Sequence, residues 1–180
     1  MAALFVSASD FLRKPYKIPN QEESNEFAEW LEDKEEEVLR TLLGNELWEA
    51  FRNAVAEDTT TARWVNLKDG DDYEYGGYTF EWQGMNKMLI PYIYSIYVRE
   101  SFEKITNIGP GVNTVANFTV INPAPTIARA QNVFARLVGG CYNAADSLYG
   151  FLLANYEDTY TEWDPIQDWK NPGKENLFDL

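Results

Sequence analysis

The sequence predicts a mainly α fold: a compact helical bundle with a long C-terminal helix, a small β-hairpin or aromatic loop, and extended arms. Three observations predict it. Residues 126–157 carry apolar side chains at steps of three and four, and residues 88–98 are apolar almost throughout. Between them and the first helix, residues 64–82 break helical spacing with Asp69-Gly70 and Gly76-Gly77 set among alternating aromatics.

From the N-terminus, residues 9–20 mix Arg13, Lys14 and Lys17 with Pro15 and Pro19, the composition of an extended basic arm. Residues 22–43 form an amphipathic helix with Phe27, Trp30, Leu31, Val38 and Leu42 inside. Glu22, Glu23, Glu26, Glu29, Glu32, Asp33, Glu35, Glu36 and Glu37 cover the rest as a solvated acidic face. Gly44 stops this helix and Asn45 can cap a second one to about residue 56, with Leu47, Trp48, Phe51 and Val55 at helical spacing. Tyr73, Tyr75, Tyr78 and Phe80 then mark the hairpin or aromatic loop.

Residues 85–104 follow as the central helix, with Met85, Met88, Leu89, Tyr92, Ile93, Ile96 and Tyr97 inside; Pro91 implies a late start or a kink. Residues 106–125 read as an extended loop with Val112, Val115, Phe118, Val120 and Ile121. The last helix, about 30 residues and roughly 45 Å long, carries Ile127, Ala130, Phe134, Leu137, Val138, Cys141, Leu148 and Leu152 on one stripe. Gly139-Gly140 in its middle costs on the order of 1 kcal/mol per residue and implies a kink or a close crossing. Two regions result: a helical domain over 1–157, its arm at 1–20 included, and an extended tail over 158–180. Tyr160, Trp163, Trp169 and Phe178 stud that tail, either as pegs for a partner surface or folded back over the chain's own helices.

Composition narrows the function. At 180 residues with 45% hydrophobic and 15% aromatic side chains, the chain folds as one domain. A net charge of −14 opposes a protein that grips nucleic acid, since phosphate binding runs on clustered Lys and Arg. The sequence has no His, which removes the usual proton carrier near neutral pH and the commonest zinc ligand. Cys141 reads as a small core residue. Residues 1–10 lack the pattern of a signal peptide, and the 89–98 run is about half the length of a membrane span, so a cytosolic site of synthesis is expected.

Asp69-Gly70-Asp71-Asp72 lacks the alternating ligands and terminal Glu of a calcium loop and reads as a turn. Glu pairs on the first helix lack the Glu-x-x-His partners of a carboxylate-bridged metal site. No phosphate loop or nucleophile elbow occurs. The expectation is a protein that is not an enzyme and needs no cofactor or metal.

The order of motifs carries a further reading. Leu42-Leu43-Gly44-Asn45-Glu46-Leu47-Trp48 is followed by Trp64-Val65-Asn66-Leu67-Lys68-Asp69-Gly70-Asp71-Asp72-Tyr73, then Trp82-Gln83-Gly84-Met85. An aromatic helix through Tyr92, Tyr94 and Tyr97, Thr106-Asn107-Ile108-Gly109, a Val-rich loop and a helix through Asn132 and Tyr142 complete it. Over residues 38–156 this resembles the head-to-tail connector, or adaptor, proteins of tailed bacteriophages, in particular the neck-ring proteins of phages infecting gut Bacteroidetes. The resemblance implies a helical subunit that docks on the portal protein beside other neck and tail proteins. It implies assembly into a homo-oligomeric ring, typically twelve-fold, and a place in the virion neck after synthesis in the host cytoplasm. Genome DNA would pass through without specific binding, and no membrane is involved.

Within that reading Glu22, Glu26, Glu29 and Glu36 form an acidic face toward the channel or outer solvent. Val112, Val115, Phe118 and Val120 supply the ring contact, and Tyr160, Trp163, Trp169 and Phe178 reach a neighbour or the portal. The Trp-bearing C-terminal extension departs from the simplest adaptors. Two alternatives stand beside it: a monomeric helical module that binds one protein through the tail or the aromatic loop, and a carboxylate-dependent hydrolase with an aromatic cleft.

Overall fold

The computed structural model describes residues 5–18, 25–56, 61–107, 122–139 and 146–165. In chain order these give a 3-10 turn at Ala8–Phe11, then α1 (Asn25–Ala56), α2 (Ala62–Asp69), β1 (Asp71–Tyr75), β2 (Tyr78–Trp82), α3 (Met85–Asn107), α4 (Ala124–Val138) and α5 (Leu148–Asn155). The fold is mainly α with one small antiparallel hairpin.

α3 is the central element because its sequence is apolar around most of its circumference; Met85, Met88, Leu89, Tyr92, Ile93 and Ile96 are all buried. The helix starts at Met85, without the late start that Pro91 implied, and runs through that proline, which lacks the N–H that would have bonded the carbonyl of residue 87 and whose ring crowds that carbonyl. α4 packs along it, with Tyr92 and Phe134 4.7 Å apart between ring centroids. α1 packs elsewhere on α3 through Phe27 and Trp30, each with its ring 6.1 Å from Tyr97. The Trp30 indole also donates to Glu100, which lies 3.6 Å from Lys34. Inside α1 the backbone leaves helical geometry at Gly44 (φ 74°), where only glycine takes the turn without strain.

Four expectations are corrected by packing. The basic stretch at the N-terminus is not a free arm: Phe5, Val6, Phe11 and Ile18 are buried, and Phe5 stacks on Phe51 at 5.0 Å. The backbone of that stretch is held by Glu35, which is 1% exposed and accepts from the N–H of Val6 (2.6 Å) and of Phe5 (3.4 Å). Glu35 therefore belongs to the core and not to the acidic outer face, since a buried carboxylate needs donors and the N-terminal backbone supplies them.

The long C-terminal helix is two helices. α4 ends at Val138 on a left-handed Gly139 (φ 118°), and α5 begins after Ser147, whose hydroxyl accepts from the N–H of Gly150. A Cβ at Gly139 would stand 2.8 Å from that of Tyr149 and 3.1 Å from the Ser147 hydroxyl, so the close approach of the two ends requires glycine there. The helical spacing over 126–157 arises because both helices bury the same kind of face.

The fourth correction concerns the tail. Tyr160 and Trp163, 1% and 2% exposed, are core residues, so the packed domain continues past residue 157. Tyr160 lies against Phe151 (5.6 Å) and Trp64 (6.3 Å), and Trp163 against Tyr149 and Tyr156. Arg63 locks this return. It grips Glu162 through two hydrogen bonds of 2.8 and 3.1 Å, donates to the Thr159 carbonyl at 2.9 Å, and lies 3.9 Å above the Trp64 ring. The Tyr160 hydroxyl donates to the Arg63 carbonyl at 2.7 Å.

Candidate interaction surfaces

The hairpin is built by a two-residue turn, Gly76 (φ 60°) and Gly77 (φ 82°), which pairs Tyr75 with Tyr78, Tyr73 with Phe80, and Asp71 with Trp82. Alternation along each strand puts all of these on one face and Asp72, Glu74, Thr79 and Glu81 on the other. The base of the hairpin is clamped: the Trp82 indole donates to the Leu67 carbonyl at 2.9 Å. Gly70 and Gly84 pass so closely that a Cβ on Gly70 would meet the Trp82 carbonyl oxygen at 2.3 Å.

The aromatic face starts in the core and ends in solvent. Trp82 and Tyr73 are buried against Phe151, at 6.0 and 5.6 Å, and Phe80 is half-buried. Tyr75 and Tyr78 are 51% and 71% exposed, and nothing lies within 4 Å of a Cβ built on either turn glycine. Among the described residues the end of the hairpin is thus an exposed aromatic pair. On its reverse, Asp72 faces Glu81 across the strands, a like-charge pair, with Glu74 beside them. Among the described residues none of these three carboxylates forms an ion pair.

A second surface has the opposite sign. On the outside of α4, Pro125, Ala128, Arg129, Asn132, Val133 and Arg136 line an open groove of about 550 Å³. The inner stripe of Ile127, Ala130, Phe134, Leu137 and Val138 faces the core. Tyr16, whose ring meets Tyr94 at 5.3 Å, lies close to this groove. Burial raises its phenol pKa while the charges of Arg129 and Arg136 pull it down. Arg13, Lys14 and Lys17 flank Tyr16 in sequence and are exposed. Among the described residues neither Arg129 nor Arg136 has an ion-pair partner.

The acidic face on α1 is smaller than its sequence implies. Glu26 and Glu29 are exposed, but Glu36 is half-buried and held by Arg40 (3.0 Å) and Arg52 (3.9 Å). Glu22, the loop residues Val112, Val115, Phe118 and Val120, Cys141, and the tail residues Trp169 and Phe178 lie outside the described residues. Tyr160 and Trp163 are not available as pegs, for the packing reasons given above.

For chemistry, no group of three or more His, Cys, Asp or Glu among the described residues could hold a metal ion. Glu162 is raised by burial but held below the ordinary carboxylate range by its hydrogen bonds to Arg63, the wrong direction for a general acid. Among the described residues no helix is long and apolar enough to cross a membrane. The hairpin end and the α4 groove were only half visible beforehand. The aromatic alternation over 73–82 pointed to the first, whereas Arg129 and Arg136 emerged once α4 had an inside and an outside.

The chain matches no known protein family, no curated protein and no solved structure.

Proposed function

We propose that the chain is a structural virion protein, a head-to-tail connector that docks on a portal protein and assembles with further copies into a ring around the path of the genome. One observation supports this above the others. Apolar residues among those that carry the resemblance to phage adaptors, Leu42, Leu43, Leu47, Trp48, Trp64, Leu67, Trp82, Met85 and Tyr92, are buried in one continuous core. The likeness thus includes positions that determine a fold, beside exposed ones such as Asn45, Glu46, Val65 and Asp72. The charge of −14 suits a conduit for DNA, because carboxylates repel phosphate and keep the passing strand from sticking. Neighbouring neck and tail proteins are its remaining partners, its place is the virion neck, and it performs no catalysis.

The test is native mass spectrometry of the full chain mixed with the assembled portal encoded by the same genome. One chain bound per portal subunit supports the proposal; failure of the portal to bind any copies contradicts it. A second reading, a monomeric helical module that holds one protein partner, is favoured by the exposed aromatic pair Tyr75 and Tyr78. It gives one-to-one complexes with a protein other than the portal. A carboxylate-dependent hydrolase is the weakest reading, since Trp48, Trp64, Trp82 and Trp163, four of the six tryptophans, are buried in the core.

A further inference from the structure

Among the described residues two exposed surfaces complement one another. The hairpin end offers two exposed tyrosines backed by Asp72, Glu74 and Glu81, three carboxylates with no cation among them. The α4 groove offers apolar lining, Pro125, Ala128 and Val133, beside two guanidinium groups without ion-pair partners among the described residues. We propose that the hairpin end of one copy of this chain docks in the α4 groove of a second copy, Tyr75 and Tyr78 entering between Arg129 and Arg136.

The physical case has three parts. The facing Asp72 and Glu81 repel each other within the chain, and cations brought alongside would relieve that repulsion. A tyrosine ring suits an arginine-lined surface, since guanidinium groups stack on aromatic faces while the hydroxyl stays wet. The glycine turn leaves the end clear of the body, so the hairpin enters a concave surface without displacing anything of its own. Because hairpin and groove are different patches, the contact is heterologous and repeats head to tail, closing into a ring if the rotation permits. It stands independently of the connector proposal, as a property of this chain with itself.

The test replaces Tyr78 in the full chain with the photoreactive p-benzoylphenylalanine, irradiates at low ionic strength and up to about 1 mM protein, where weak contacts populate, and maps the adducts by peptide mass spectrometry. The expected result is a covalent dimer joining residue 78 to the peptide 124–138. Its yield falls at least about tenfold in salt of about 0.5 M and in Arg129→Glu/Arg136→Glu. Both arginines are exposed, so near-ultraviolet circular dichroism should be unchanged in that variant; Arg129→Gln/Arg136→Gln replaces it if it is not. Mixing the reversed-groove chain with a photoreactive Glu74→Lys/Glu81→Lys chain should restore the adduct. Absence of a covalent dimer, an adduct within one chain, an adduct elsewhere on a second copy, or a yield indifferent to both charge changes would overturn the inference. So would retention of labelled duplex DNA by the wild-type groove, lost in the arginine variant, without any dimer.

Discussion

Replacing Glu35 by Ala tests how the N-terminal segment is held. The carboxylate is 1% exposed and accepts from two backbone N–H groups, at 2.6 Å from Val6 and 3.4 Å from Phe5. A hydrogen bond to a charged acceptor contributes roughly 1.5–3 kcal/mol, and one near 3.4 Å contributes little. Truncation also leaves the Val6 donor buried with no acceptor, so the loss is about 3 kcal/mol if the segment stays in place. With a denaturant slope near 2 kcal/mol/M for urea, the unfolding midpoint falls by about 1.5 M. Glu35→Gln keeps an acceptor of the same shape and should lose only about a third as much. Tryptophan fluorescence in urea reads the midpoint, and native-state hydrogen exchange reads the Val6 amide directly. A midpoint shift equivalent to less than about 0.5 kcal/mol, with Val6 protected as before, would refute the assignment of Glu35 as the anchor.

The burial of Trp163 predicts that Trp163→Ala costs about 3–5 kcal/mol in urea unfolding, whereas a partner peg would leave stability untouched. At the hairpin base, Gly70→Ala should cost more than about 2 kcal/mol, because its Cβ meets the Trp82 carbonyl oxygen at 2.3 Å with φ at 103°. Gly76→Asn, in open space on a primed turn, should be neutral or slightly stabilising by the same assay. Burial, with Asp146 adding to it, raises the Tyr73 phenol to about 12, and burial with Glu37 does the same for Tyr92. Raised acids favour the fold in their neutral form, so their contribution is full below the ordinary value of 10.0 and is lost as the pH climbs from there to about 12. Absorbance titration should show these phenols ionising only as the fold is lost; titration of all eleven tyrosines near 10 with the helical signal intact would contradict this.

Much of the fold was legible in the sequence because periodicity records burial. The spacing of Met88, Leu89, Tyr92, Ile93 and Ile96 identified the central helix, and Gly44 and Gly76-Gly77 marked real turns. Three things were not legible, each for a physical reason. Period alone cannot tell one long helix from two that bury similar faces, so Gly139 read as a kink or a close crossing within one helix and is the terminus of α4, at a close approach to Ser147 and Tyr149. A carboxylate amid eight others gives no sign that a distant backbone will find it, so Glu35 read as solvent-facing. Tyr160 and Trp163 lie beyond the last regular spacing, and the anchor that returns them, Arg63 on Glu162, joins residues 99 apart in sequence. The surfaces were harder still, since a docking patch is what the core leaves over and is visible only after the core is assigned.

The connector proposal is tested most directly by quantitative mass spectrometry of purified phage particles whose genome encodes this chain, counting its copies against the portal protein. A fixed ratio near one chain per portal subunit is the predicted result. Particles that carry the portal but no copy of this chain would contradict it.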